Sequence, residues 1–206
     1  AEVLRYIHQI GEALQFVHQK NILHLDIKPS NILIDKDNNA RLIDFGVSKR
    51  YDVGEQETST TMLTLSKGFA SIEQYDNEGI QSFSPCPDIY SLGATMYNLL
   101  TGKIPTESIL RATRPFARPR ELNPAISEQT EQVILKAMEI IPANRYQSVE
   151  EMMNALGGSD YKKLDVSTPQ DLSDSEGDEE TTLLYSSSPK DDQEETLLNA
   201  TIEELV

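Results

Sequence analysis

Within His24-Leu25-Asp26-Ile27-Lys28-Pro29-Ser30-Asn31 a carboxylate, an ammonium and a carboxamide fall on one short stretch. Asp44-Phe45-Gly46 adds a second carboxylate thirteen residues after Asn31. That set suits movement of a phosphoryl group with a divalent metal. Phosphoryl transfer passes through a loose transition state, so catalysis is mostly positioning and charge neutralisation. Asp26 can accept the proton of an incoming hydroxyl and hold it in line, while Lys28 sets a cation against the transferring phosphate. Asn31 offers a neutral oxygen and Asp44 a charged one, both hard ligands suited to Mg²⁺. Gly46 is expected to free the backbone just after the metal ligand. Singly these residues say little, since a lone Asp is usually a surface acid and a lone His such as His24 a core histidine. Their joint spacing carries the reading.

The flanking sequence must position this set. Residues 1–19 read as a core-packing helix, with Leu4, Ile7, Ile10 or Gly11, Leu14 and Val17 along one face. Two β-prone runs, Ile32-Leu33-Ile34 and Arg41-Leu42-Ile43, flank Asp35-Lys36-Asp37-Asn38-Asn39 and indicate a hairpin that delivers Asp44 opposite Asn31. Asp35, Asp37 and Asn39 mimic the start of a calcium loop. Ala40 stands where that loop needs Gly, however, and Gly46 where it needs a bidentate Glu. Residues 47–67 are polar and rich in hydroxyls (Thr58, Ser59, Thr60, Thr61, Thr64, Ser66). A helix from Pro87 should stop at Gly102, with Pro105 following. Residues 103–126 look loop-like and carry Arg111, Arg114, Arg118 and Arg120. A solvated loop is the favoured reading there, a basic face for acidic substrates the other. Ser127 is a plausible N-cap for a helix bearing Val133, Ile134, Ala137, Met138 and Ile141. Ser148-Val149-Glu150-Glu151 matches a capping box for a last helix ending near Gly157.

The motifs together resemble the eukaryotic-type serine/threonine protein kinase family. His24-Leu25-Asp26 through Asn31 resembles its catalytic loop, departing from H-R-D only at Leu25, and Asp44-Phe45-Gly46 its metal-binding loop. Lys28-Pro29 resembles the serine/threonine branch. The resemblance implies ATP and Mg²⁺ (Mn²⁺ as an alternative) as cofactors, and protein Ser/Thr hydroxyls as substrates. It assigns catalysis to Asp26 and Lys28, nucleotide binding to Lys28, Asn31 and Asp44, and metal binding to Asn31 and Asp44. Residues 47–67 would be an activation segment, although Leu25 offers no guanidinium to receive a phosphate on it. Gly68 to Tyr75 resembles a diverged segment ending in A-P-E, with Ser71-Ile72-Glu73 in those places. Structural support is implied for His24, Phe45, Gly46, Ser66, Glu73, Asp88 and Arg145. Ser66 would bond the catalytic Asp and Lys, and Glu73 would pair with Arg145. Asp88 would cap its helix and bond back to the catalytic loop. The diverged A-P-E segment and the absent loop arginine suggest a bacterial-type member.

The expected fold is α+β and mainly α-helical: a kinase-like C-lobe with a small catalytic hairpin. Residues 1–157 form the kinase domain and 158–206 a disordered acidic tail. No Gly-rich loop or strand lysine precedes Asp26, and Ala1 is not an initiator Met, so the N-lobe is expected to be absent and the chain to be a fragment with weak or no activity of its own. Residues 1–157 hold 15 Lys+Arg against 20 Asp+Glu, a net of −5. Residues 158–206 hold 3 against 14, a net of −11. That balance speaks against nucleic acid as a partner. With one cysteine, Cys86, and no long apolar run, the sequence suggests a cytoplasmic protein without a membrane segment. The tail repeats Glu179-Glu180-Thr181-Thr182-Leu183-Leu184 as Glu194-Glu195-Thr196-Leu197-Leu198. It reads as a solvating acidic tail or, alternatively, as phosphothreonine motifs for an FHA-like reader. A non-catalytic pseudokinase or scaffold recruiting partners through the tail is the competing class, disfavoured because Asp26, Lys28, Asn31 and Asp44 are all intact.

Overall fold

A computed structural model describes residues 2–46, 48–51, 65–76 and 80–157. Thr58, Ser59, Thr60, Thr61 and Thr64 of the expected activation segment, and the whole 158–206 tail, lie outside the described residues. The first helix, α1 (Glu2–His18), buries Ile7, Ile10, Gly11, Leu14 and Val17, the face its spacing implies. Asn21, in the left-handed region (φ 57°), turns the chain into the short strand β1 (Ile22–Leu23). A 3₁₀ turn over Pro29–Asn31 leads into the hairpin of β2 (Ile32–Ile34) and β3 (Ala40–Leu42). Its register pairs Ile32 with Leu42 and Ile34 with Ala40, one residue earlier on the second strand than the apolar run suggests. The shift arises because the Asp35 carboxylate accepts from the Asp37 and Asn39 N–H groups, closing the turn before Ala40. A second ribbon pairs β1 with β4 (Lys49–Arg50), Ile22 opposite Arg50.

The core is built around α2 (Cys86–Thr101), in which every residue from Cys86 to Tyr97 is buried. Such a helix has no solvent face and must be wrapped by other elements. It packs against α1, α3 (Pro119–Leu122) and α4 (Glu128–Ala137), while α5 (Val149–Gly157) closes on α1 and α4. Gly102, at φ 70°, ends α2 as expected. The start differs from expectation. Asp88 lies inside the helix and caps nothing; Pro85 occupies the cap position, and the Cys86 N–H donates to Ser84 Oγ at 3.3 Å. Prolines at 85 and 87 have no N–H to satisfy, so the carboxylate is free to bond outside its own helix.

Residues 103–126 are more ordered than a solvated loop. A 3₁₀ turn covers Ser108–Leu110, and of the four arginines Arg111 is half-buried while Arg118 pairs at the surface. Arg111 donates to the Met138 carbonyl and lies 4.4 Å from the Phe116 ring centroid; Arg118 pairs with Glu131 at 2.9 Å. The helix starts follow the local signals. Ser127 Oγ accepts from the Thr130 N–H at 3.1 Å, and Ser148 Oγ from the Glu151 N–H at 3.0 Å. Glu151 reaches back to the Gln147 N–H rather than to that of Ser148, a capping box displaced by one residue.

Two glycines let helices approach closely, with opposite consequences for substitution. A Cβ on Gly93 would sit 2.8 Å from Ala137 Cβ, which cannot move without shifting α4. A Cβ on Gly11 would meet Met153 Sδ at 2.7 Å, the far end of a flexible side chain. Gly93→Ala should therefore destabilise the chain by about 1–2 kcal/mol despite its better helix propensity. Gly11→Ala should stay within about 0.5 kcal/mol of the parent, its propensity gain offsetting the Met153 shift. Urea midpoints of the two variants check this, and equal midpoints would refute it.

Candidate active site

Before the 3₁₀ turn Pro29–Asn31, the loop between β1 and β2 has no regular structure, and its backbone polar groups are satisfied largely by side chains. Asp88, fully buried on α2, accepts from the His24 N–H (2.9 Å) and the Leu25 N–H (2.8 Å) and contacts His18 Nε2 at 2.7 Å. Thr95, two turns further along α2, donates to the Ile27 carbonyl at 3.3 Å. Leu25 is held at φ 66°, a conformation that costs a branched side chain on the order of 1–3 kcal/mol. Its neighbour Asp26 is thereby turned toward the open side of the site.

Asp26 is the hub of the polar groups. Its Oδ2 accepts from Lys28 Nζ at 2.7 Å and from Asn31 Nδ2 at 3.0 Å, and its Oδ1 accepts from Ser66 Oγ at 2.5 Å. Lys28 Nζ also donates to Ser66 Oγ at 2.9 Å, so acid, ammonium and hydroxyl close a triangle. Asn31 Nδ2 donates a second bond to the Asp26 carbonyl at 2.8 Å. With its amine end committed twice, the Asn31 carboxamide keeps its oxygen for another partner. The Ile43 N–H donates to the Asn31 carbonyl at 2.9 Å, extending the hairpin ladder and bringing Asp44 to the same end of it.

Asp44 is exposed and at φ 64°, and its Oδ1 accepts from the Gly46 N–H at 3.2 Å. This corrects the expectation for Gly46: the left-handed residue is Asp44, not the glycine. Gly46 supplies space instead, since a Cβ there would press on Asp44 Oδ1 at 3.0 Å. Phe45 packs edge-on against His24 with ring centroids 4.7 Å apart. His24 is buried; its Nδ1 accepts from the Asp26 N–H (3.3 Å), leaving Nε2 to donate to the Ile43 carbonyl (3.1 Å). Those roles require the neutral imidazole. Burial pushes its pKa below the usual histidine value, against the pull of Asp88, the Ile43 carbonyl and the nearby acids.

Glu73 and Arg145 meet as the sequence suggested, with Nη1–Oε1 at 2.6 Å and Nη2–Oε2 at 2.9 Å. The other three guanidinium N–H groups donate to the carbonyls of Glu139, Cys86 and Ile140. All five donors are used. Sequence reasoning missed two residues of the support, Gln74 and His18. Gln74 is buried, donates from Nε2 to the Leu25 carbonyl at 2.8 Å and accepts from Ser71. His18 closes α1, to which its spacing gives no polar role, so nothing in the pattern announces its contact with Asp88.

The family model for the protein kinase domain matches residues 1–156. The chain belongs to the protein kinase family. It is 32% identical over 165 residues to the serine/threonine-protein kinase Pkn1 of Myxococcus xanthus, covering 75% of this chain and 23% of that protein. To PrkC of Bacillus subtilis it is 35% identical over 162 residues (73% and 24%), and to PknB of Mycolicibacterium smegmatis 34% over 149 residues (68% and 23%). It is thus a bacterial-type member of the eukaryotic-type serine/threonine kinases, and the match spans about a quarter of the length of these curated relatives. Among the described residues no helix is long and apolar enough to cross a membrane.

Two outcomes follow for stability. The His24 pKa is lowered from 6.5 in the folded chain, so between the two values the unfolded chain binds more protons and stability falls as pH drops. Urea midpoints should decline from pH 7 through pH 5, with a slope approaching about 1.4 kcal/mol per pH unit, and His24→Asn should remove that part of the slope. Arg145→Lys leaves three donors for five acceptors and should cost about 3 kcal/mol by the same assay. A midpoint within error of the parent would show that the pair is not needed for stability.

Proposed function

We propose that the chain is the C-lobe portion, residues 1–157, of a protein serine/threonine kinase that transfers the ATP γ-phosphate to hydroxyls of protein substrates. The observation that carries this reading is the Asp26–Lys28–Asn31–Ser66 cluster, which joins the acid, the ammonium, the carboxamide and the hydroxyl by hydrogen bonds while the acid and the ammonium stay partly exposed. Asp26 and Lys28 side chains keep 13% and 27% of their surface exposed, so a substrate hydroxyl can reach the carboxylate. Asp26 accepts that hydroxyl's proton as its oxygen bonds to the γ-phosphorus and the bond to ADP breaks. Lys28, anchored by Asp26 and Ser66, directs its remaining N–H toward the phosphoryl oxygens.

Among the described residues no group of three or more His, Cys, Asp or Glu side chains could hold a metal alone. The donor set nevertheless suits Mg²⁺ shared with phosphate oxygens: the free Asn31 oxygen and the exposed Asp44 carboxylate are hard and adjacent to one end of the hairpin. When bound there, Mg²⁺ would neutralise charge on the phosphates. We assign Lys28, Asn31 and Asp44 to the nucleotide, Asn31 and Asp44 to the metal, and His24, Phe45, Gly46, Ser66, Glu73, Asp88 and Arg145 to support. The free thiol Cys86 agrees with a cytoplasmic setting for this domain. The Glu-Glu-Thr repeat of the tail, outside the described residues, is proposed as a phosphothreonine motif for an FHA-like reader.

The test is Mg-ATP phosphotransfer to Ser/Thr peptides by the full-length protein and by the 206-residue chain. The full-length protein should be active, the chain alone nearly inactive, and Asp26→Asn should lower kcat by about 10²–10⁴-fold. Mass spectrometry of the same reactions should find phosphate at Thr181, Thr182 or Thr196. Full-length protein without activity, or with activity that Asp26→Asn does not change, would instead favour the scaffold reading.

A further inference from the structure

Leu25 occupies a strained backbone conformation one residue before Asp26, and both of its backbone polar groups are held by remote side chains. Its N–H goes to Asp88 on α2, its carbonyl to Gln74 in the 3₁₀ turn Ile72–Tyr75. The Gln74 amide can sit only one way round. Its Oε1 accepts from the Ser71 N–H at 3.0 Å and from Ser71 Oγ at 3.2 Å, so Nε2 must face the Leu25 carbonyl. Gln74 is 5% exposed and Ser71 fully buried, so water does not substitute for either bond.

The segment that carries Gln74 is itself pinned. Ser91 Oγ donates to the Phe69 carbonyl and Ser108 Oγ to the Ala70 carbonyl, both at 2.8 Å, and Glu73 is clamped by Arg145. From these contacts, and resting on the kinase reading above, we infer that Gln74 is a positioning residue for phosphoryl transfer: it fixes Asp26 by locking the Leu25 carbonyl, and so couples the segment before it to the reacting carboxylate. Gln74 directs its side-chain hydrogen bonds to Ser71 and the Leu25 carbonyl, not to Asp26 or the residues assigned to nucleotide and metal. Its loss therefore acts on the orientation of the carboxylate and leaves nucleotide affinity alone.

The test uses the full-length protein. Gln74→Met removes both the donor and the acceptor at similar length. It should lower kcat by about 10- to 100-fold, the cost of a small misplacement of a reacting group, with KM for ATP within about twofold. Gly93→Ala, destabilised elsewhere, should keep kcat and so controls for stability. Gln74→Glu gives a readout that mere structural support would not move. Protonated, its carboxyl can donate to the Leu25 carbonyl; ionised, it turns an oxygen on it. The variant-to-parent ratio of kcat should fall as pH rises from about 6 to 9, burial favouring the protonated form at the lower end. The charged groups tied to the same network are Asp88, on the Leu25 N–H, and the Glu73–Arg145 pair. Parental kcat for Gln74→Met, a fall shared by Gly93→Ala, or a flat ratio for Gln74→Glu would overturn the inference while the kinase reading stands. A parent with no phosphotransfer would bring down both.

Discussion

The structure depends first on one buried charge. Asp88 has no exposed surface, and a carboxylate in that setting survives only if its oxygens are bonded. Burial opposes its ionisation, yet hydrogen bonds from His18 and the His24 backbone outweigh it and hold the carboxyl below the usual aspartate range. Because the acceptor sits on the rigid central helix and the donors on an irregular loop, the requirement runs in one direction. The loop must bring its N–H groups to the helix. A stretch without secondary structure thereby acquires a fixed geometry from an element more than sixty residues away in the chain.

The same device recurs at lower cost. Thr95 and Ser91 on α2 and Ser108 beyond it each donate to one main-chain carbonyl of an irregular segment. Arg145 does this twice, at Glu139 and Ile140, and also holds the Cys86 carbonyl at the start of α2 while pairing with Glu73, using a planar fork that lysine lacks. Irregular backbone near a reactive centre cannot satisfy itself by ladders, so the helical core supplies its partners residue by residue. This explains why five of the buried polar side chains, Asp88, Ser91, Thr95, Ser108 and Arg145, are turned to main-chain groups.

Much of this was legible in the sequence where the signal is local or strongly periodic. The face of α1, the hairpin, the Ser127 cap and the Asp26–Lys28–Asn31 triad follow from spacing, and the Glu73–Arg145 pair from the resemblance. The misses share a cause. The resemblance implied that Asp88 caps its helix as well as bonding to the loop; it bonds to the loop, but two prolines removed the need for the cap. Gly46 was expected to take the unusual backbone conformation because glycine can, whereas Asp44 takes it. Gln74 has a local signal only for its bond to Ser71, as the last residue of an S-x-x-Q capping box; its bond to Leu25 and that of His18 to Asp88 span 49 and 70 residues and have none. Side chains that serve a remote backbone are invisible to pattern.

Leu25 shows what such a scheme permits. The position is defined by its N–H and carbonyl, both bonded to side chains from elsewhere, so the geometry passed to Asp26 does not depend on what the residue's own side chain does. Freed from that duty, the leucine is buried with Leu23 and Ile80, and Tyr51 and Phe83 pack against the cluster. A guanidinium there could receive a phosphate from a neighbouring segment, but an apolar cluster cannot, and burying phosphate against it would be costly. The bonds that hold the backbone thus separate two properties of one position: the backbone beside Asp26 is fixed from outside, while the side chain is spent on apolar packing.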